Sequence, residues 1–142
     1  MNAALLEQVR QRAAALCEYC RMPESVVRLP FQIDHVMARQ HGGLTILANC
    51  AYSCLPCNKF KGPNIAGIDP KTKKLTALFH PRRNVWHRHF RWDGPYLRGR
   101  TAIGRTTVLV LNINEPGYVA VRQTLIDEGR FPPGDGALER SP

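Results

Sequence analysis

The chain has 142 residues and carries 20 lysines and arginines against 11 acidic residues, a formal net charge of +9. That length supports one domain with a modest core, and that charge points to an acidic partner, nucleic acid above all, with solubility alone as the plainer alternative. No apolar run approaches the roughly 20 residues of a membrane span, and the first residues lack a signal-peptide core, so a cytoplasmic protein with reduced thiols is expected.

In chain order, Leu5, Val9, Ala13 and Leu16 recur at three- and four-residue steps. They predict an amphipathic helix from Ala3 to Leu16 that runs into Cys17. Pro23 and Pro30 end it. Phe31-Gln32-Ile33-Asp34-His35 alternates apolar and polar residues and predicts a strand with Asp34 and His35 at its polar end. A loop containing Gly42 and Gly43 leads to Asn49, at the start of a second short strand through Tyr52. Cys57 to Lys61 makes about one helical turn before Gly62 and Pro63 stop it.

Residues 64–67 read as a turn, and Leu75 to Phe79 as a strand paired with Val85 to Trp92 in a basic hairpin. Thr101 is expected to cap a helix through about Leu111, and Asn114 to cap a second one through Glu128, stopped by Gly129. The tail from Phe131 is rich in proline and glycine and reads as disordered.

Cys17, Cys20, Cys54 and Cys57 form two Cys-x-x-Cys knuckles. Four soft ligands delivered in pairs from tight turns are what a tetrahedral structural zinc requires. Two disulfides or redox-active knuckles are the competing reading, which a reducing compartment and the lack of a thioredoxin-like pattern disfavour. Cys50 has no partner at knuckle spacing and reads as a small core residue.

Hydrolysis of a phosphodiester needs a proton acceptor for water and stabilisation of the developing charge. An imidazole exchanges protons near neutrality, which suits His35 to the first task. Asp34 and the amide oxygen of Asn58 suit the second as hard ligands for Mg²⁺, Mn²⁺ or a similar divalent cation, provided the fold brings strand end and helix together. The plainer reading makes Asp34 and His35 ordinary polar strand-end residues. Neighbours on a strand point to opposite faces, so they share a site only where the strand ends or bends.

With Cys17-Glu18-Tyr19-Cys20, Asp34-His35, His41-Gly42-Gly43, Asn49 and Cys54-Leu55-Pro56-Cys57-Asn58-Lys59-Phe60-Lys61-Gly62 in place, the sequence closely resembles the HNH endonucleases with a ββα-metal site. The resemblance covers about half the chain, and the stretch from Phe79 to Trp92 is similar to an extension seen in some bacterial members. It implies that His35 is the general base, that Asp34 and Asn58 bind one catalytic ion, and that Asn49 orients His35 or holds the loop. The family's last letter is often His; here Asn58 stands in its place.

The fold class expected is therefore α+β: an N-terminal helix, a ββα-metal core stapled by a structural zinc on the four knuckle cysteines at about 14–63, a basic β-hairpin at about 68–93, C-terminal helices at about 100–130 and a tail at 131–142. Candidate substrate contacts are His41, Lys59, Lys61, Arg82, Arg83, Arg88, His89 and Arg91. For the arginines, phosphate contact competes with a solvated edge whose tryptophans lie in the core. His80 and His89 are further candidates to approach the catalytic ion. The expected activity is cleavage of DNA, with RNA also open. A DNA-binding module without chemistry is the principal alternative, and a zinc-stabilised protein adaptor a weaker one. Monomer and homodimer are both compatible with the sequence.

Overall fold

A computed structural model describes residues 3–134. Helix α1 (Ala3–Arg12) buries Val9 and ends a turn earlier than its periodicity suggests. Ala14 and Ala15 both take left-handed backbone conformations, with φ of 55° and 57°. Such residues cost about 1–2 kcal/mol each. The turn they make carries Leu16 into a bridge with Pro23 and lets the Cys17 amide donate to the Met22 carbonyl, which closes the first knuckle. Knuckle geometry overrides helix propensity here.

Strand β1 (Gln32–His35) pairs antiparallel with β2 (Cys50–Ser53), Asp34 opposite Ala51 and His35 opposite Cys50. Helix α2 (Leu55–Lys61) follows β2 directly, with Pro56 in its first turn, where a missing N–H costs nothing. Asn49 closes a short 3-10 turn (Leu47–Asn49) just ahead of β2.

The strands beyond this unit pair differently from the expected hairpin. Strand β4 (Leu75–Ala77) pairs with β3 (Ala66–Ile68), the stretch read as a turn, rather than with Val85 to Trp92. Asp69 organises the connection: its carboxylate accepts from the Lys71 and Thr72 amides and the Thr72 hydroxyl, and from Arg105 in a two-pronged ion pair at 3.0 and 2.9 Å. Val85 to Trp92 divides into a single helical turn, α3 (Trp86–His89), and β5 (Phe90–Asp93), which pairs with β6 (Tyr96–Gly99). The Gly94-Pro95 turn joins them, with Gly94 at φ +56°. A Gly-Pro pair that punctuates a chain also closes a tight hairpin.

Thr101 caps α4 (Ala102–Val110) by accepting from the Gly104 amide, as expected. A side chain at Gly104 would meet the His89 carbonyl oxygen at 2.0 Å, so this glycine is what lets α4 lie against α3. Helix α5 (Pro116–Asp127) is capped by Glu115, not Asn114. Asn114 instead brackets Leu97, accepting from its amide and donating to its carbonyl, both at 2.9 Å.

The aromatic residues of the expected hairpin form the core. Trp86 packs on Phe90 and donates its indole N–H to the Tyr19 carbonyl at 2.9 Å, tying the C-terminal half to the first knuckle. The Arg21 guanidinium lies 4.1 Å over the same ring. Phe131 is buried against Trp92, so the first residue of the proline-rich tail belongs to the fold, while 135–142 lie outside the described residues. The whole is a mixed α+β chain with three two-stranded sheets among the described residues.

Candidate active site and metal centre

The knuckles bring the sulfurs of Cys17, Cys20, Cys54 and Cys57 within 4.8 Å of one another, all four residues buried. Sulfurs bound about 2.3 Å from one tetrahedral ion sit about 3.8 Å apart. The Cys20 and Cys54 sulfurs are 3.7 Å apart. Burial alone would raise the Cys17 thiol, yet hydrogen bonds from Cys20, Cys54 and Cys57 bring it well below its ordinary range. Cys57 is pushed well above its own, chiefly by its bond to Cys17. Four buried sulfurs gathered at this spacing are a place where a soft cation fits, and the cluster can hold zinc. Cys50 is fully buried and stands apart from it, as the sequence suggests.

One short step from the cluster, β1 and α2 face each other. Asp34, His35 and Asn58 line one open concavity, together with Arg39 and Gln40. The end of β1 and the side of α2 thus border the same concavity. Asn58 donates from Nδ2 to the Gln32 side chain, and its amide oxygen has no hydrogen-bond partner among the described residues. The Nε2 of His35 is 2.8 Å from the Thr45 hydroxyl.

Asp34 is the exception to a simple picture. Its carboxylate is 4% exposed and accepts from the Tyr19 hydroxyl at 2.6 Å and from the Lys61 ammonium at 3.2 Å. Burial raises its pKa; Lys61 and the Tyr19 hydroxyl pull it partly back. The oxygens are hard donors suited to a divalent ion, and a cation already sits against them. Asp34 thus faces the core side of the strand while His35 faces Thr45, the alternation a strand imposes.

Asn49 does not touch His35. Its Oδ1 accepts from the Met37 amide at 2.9 Å, and its Nδ2 donates to the carbonyls of Met37 and Leu44 at 3.0 and 2.9 Å. Of its two expected roles, this is loop holding. Gly43 is required beside it, because a Cβ there would lie 1.8 Å from the Met37 carbonyl oxygen.

The candidate substrate contacts divide sharply. His41, Lys59, Arg83, Arg88 and Arg91 are exposed. Lys61 is not: it is 1% exposed and donates to Asp34 and to the backbone carbonyls of His35 and Val36. Arg82 is likewise withdrawn into an ion pair with buried Glu18, and burial lowers its pKa to about 10. Both are corrected from substrate contacts to internal cations. His89 is half-buried, with Nδ1 2.7 Å from the Thr101 hydroxyl, and its pKa is lowered by burial and by Arg88. His80 accepts from the Arg82 amide through Nδ1 and lines a separate cleft with Asn49 and Arg83. Neither His80 nor His89 lines the concavity of His35. Tyr19, Thr45 and Lys61 are the site's unforeseen members; only the position of Tyr19 inside the knuckle and of Lys61 one turn past Cys57 hinted at them.

The unit is a ββα arrangement whose helix and leading loop share a four-thiol cluster able to hold a metal ion, with His35 and Asn58 beside it. Residues 17–64 match the family model described as HNH endonuclease, and this stretch of the chain is an HNH domain. The match spans both knuckles, Asp34, His35, Asn49 and Asn58. No curated protein and no solved structure matches the chain. No helix among the described residues is long and apolar enough to cross a membrane.

Proposed function

We propose that this protein is a divalent-metal-dependent endonuclease that hydrolyses DNA phosphodiester bonds and carries a structural zinc on Cys17, Cys20, Cys54 and Cys57. The observation that carries the reading is the convergence of His35 and Asn58, with Asp34, on one open concavity inside the HNH domain. His35 takes a proton from water as the water oxygen attacks phosphorus, and the P–O3′ bond breaks. Asp34 and Asn58 would hold the catalytic ion, Mg²⁺ or Mn²⁺; bound there, such an ion supplies charge neutralisation for the departing oxygen. Exposed Lys59, Arg83, Arg88 and Arg91 supply phosphate contacts, and the net charge of +9 draws the polyanion in.

A second reading, a DNA-binding module without cleavage, is favoured by one feature: the Lys61 ammonium and the Tyr19 hydroxyl already occupy the Asp34 carboxylate. Plasmid, linear duplex, single-stranded DNA and RNA, each incubated with Mg²⁺ or Mn²⁺ and again with EDTA, separate the two. The nuclease makes EDTA-sensitive cuts, and the four substrates rank DNA against RNA. Retarded but intact DNA under every condition supports the binding module.

A further inference from the structure

We infer that Thr45 is a positioning residue for the histidine base, a role that rests on the nuclease reading. The His35 ring makes one side-chain hydrogen bond, from Nε2 to the Thr45 hydroxyl at 2.8 Å, and its Nδ1 has no hydrogen-bond partner among the described residues. A neutral imidazole carries its proton on one nitrogen only, and the bond made by one nitrogen sets the role of the other. A hydroxyl can accept or donate; in the inferred arrangement its oxygen accepts from Nε2–H, the lone pair resides on Nδ1, and Thr45 holds the ring so that Nδ1 receives the proton from water.

The threonine is itself held in place. It lies directly after Leu44, whose carbonyl accepts from Asn49 Nδ2 at 2.9 Å, and the same amide group clamps both backbone groups of Met37 at the other end of the loop. Gly43 permits the close backbone approach that this clamp needs. Asn49 acts on His35 at one remove, through the position of residue 45. Thr45 is the residue of this run whose side chain bonds the ring. A valine of the same shape would keep the packing and lose the acceptor; a serine would keep the acceptor and lose a methyl group.

The test uses the full chain with zinc bound and two variants, Thr45→Val and Thr45→Ser. Nitrogen-15 NMR of the His35 ring is expected to show a protected Nε2–H with a nuclear Overhauser contact to residue 45 in the native chain and in Thr45→Ser, and to lose it in Thr45→Val. Plasmid cleavage by Thr45→Val is expected to fall about tenfold in kcat with KM changed less than about twofold, and to recover to within about threefold in Thr45→Ser, the scale of one hydrogen bond. A native ring protonated on Nδ1, a Thr45→Val chain that cuts at the native rate, or a Thr45→Ser chain as slow as Thr45→Val overturns the inference. A native chain that shows the Nε2–H contact yet cuts nothing overturns the nuclease reading and the positioning role with it, and leaves only the hydrogen bond.

Discussion

The Nζ of Lys61 lies 3.2 Å from each carboxylate oxygen of Asp34, with side chains 1% and 4% exposed. The pair joins the end of α2 to β1 at the edge of the candidate site. Lys61 also donates to the carbonyls of His35 and Val36, which satisfies its remaining protons. Replacing one partner of a buried pair leaves the other charged and unsolvated, at a cost of about 3–5 kcal/mol. Lys61→Met is therefore expected to lower the stability of the zinc-loaded protein by that amount in denaturant titration. Native stability in the variant would show that Asp34 is solvated or protonated without it.

Chelation is expected to unfold the domain. The four thiols tie the segment before β1 to the start of α2, and structural zinc contributes about 10–16 kcal/mol of apparent binding free energy in small domains. A strong chelator, or Cys54→Ser, should abolish the cooperative far-UV melting transition, while removal of Mg²⁺ with the zinc still bound should leave it unchanged. A chain that keeps its transition after zinc loss would make the cluster dispensable.

Asn49→Ala removes three hydrogen bonds that close the loop between β1 and β2. At about 0.5–1.5 kcal/mol per bond, and with the residue half-exposed, a loss of about 1–3 kcal/mol is expected. The sharper measurement is local: the Met37 amide, which donates to Asn49, should lose its protection from hydrogen exchange. An amide as protected as before would place the clamp elsewhere.

The ββα unit is legible in the sequence because its signals are local and chemical. Two Cys-x-x-Cys pairs, an alternating Phe31 to His35 and a Pro56 in a first helical turn each carry their own geometry. The C-terminal half is less legible because its pairings depend on partners far along the chain. Ala66 to Ile68 has too little side chain to announce a strand, and Gly67 is small because Val110 and Thr106 of α4 press on it. Trp86 to His89 looks extended by its aromatics but coils to put Trp86 under Arg21. Within the site, residue identity is legible and hydrogen bonding is not: nothing in the spacing says that Asp34 meets Lys61, or that Thr45 rather than Asn49 touches His35.

The Asp69 carboxylate is held well below the usual carboxylate range, first by its hydrogen bonds from Arg105, against the opposing effect of burial. A carboxyl depressed in the folded state contributes stability above its unfolded value of about 4, and that contribution is lost as pH falls through the folded value. The gap in urea midpoint between the native chain and Asp69→Asn should therefore hold while the pH stays above about 5 and narrow as the pH falls from about 4 toward about 2. A gap that stays constant down to about pH 2 would mean that Asp69 titrates in the folded chain as it does in the unfolded one.

The most direct test of the central claim is cleavage of supercoiled plasmid in Mg²⁺ or Mn²⁺ by the native chain and by His35→Ala, with zinc content and DNA retardation measured on the same samples. Loss of a general base lowers rates by about 10²–10⁴. The expected result is EDTA-sensitive nicking by the native chain and a loss of that size in His35→Ala, with zinc and DNA binding unchanged. Nicking by His35→Ala at the native rate in the same buffer would contradict the account.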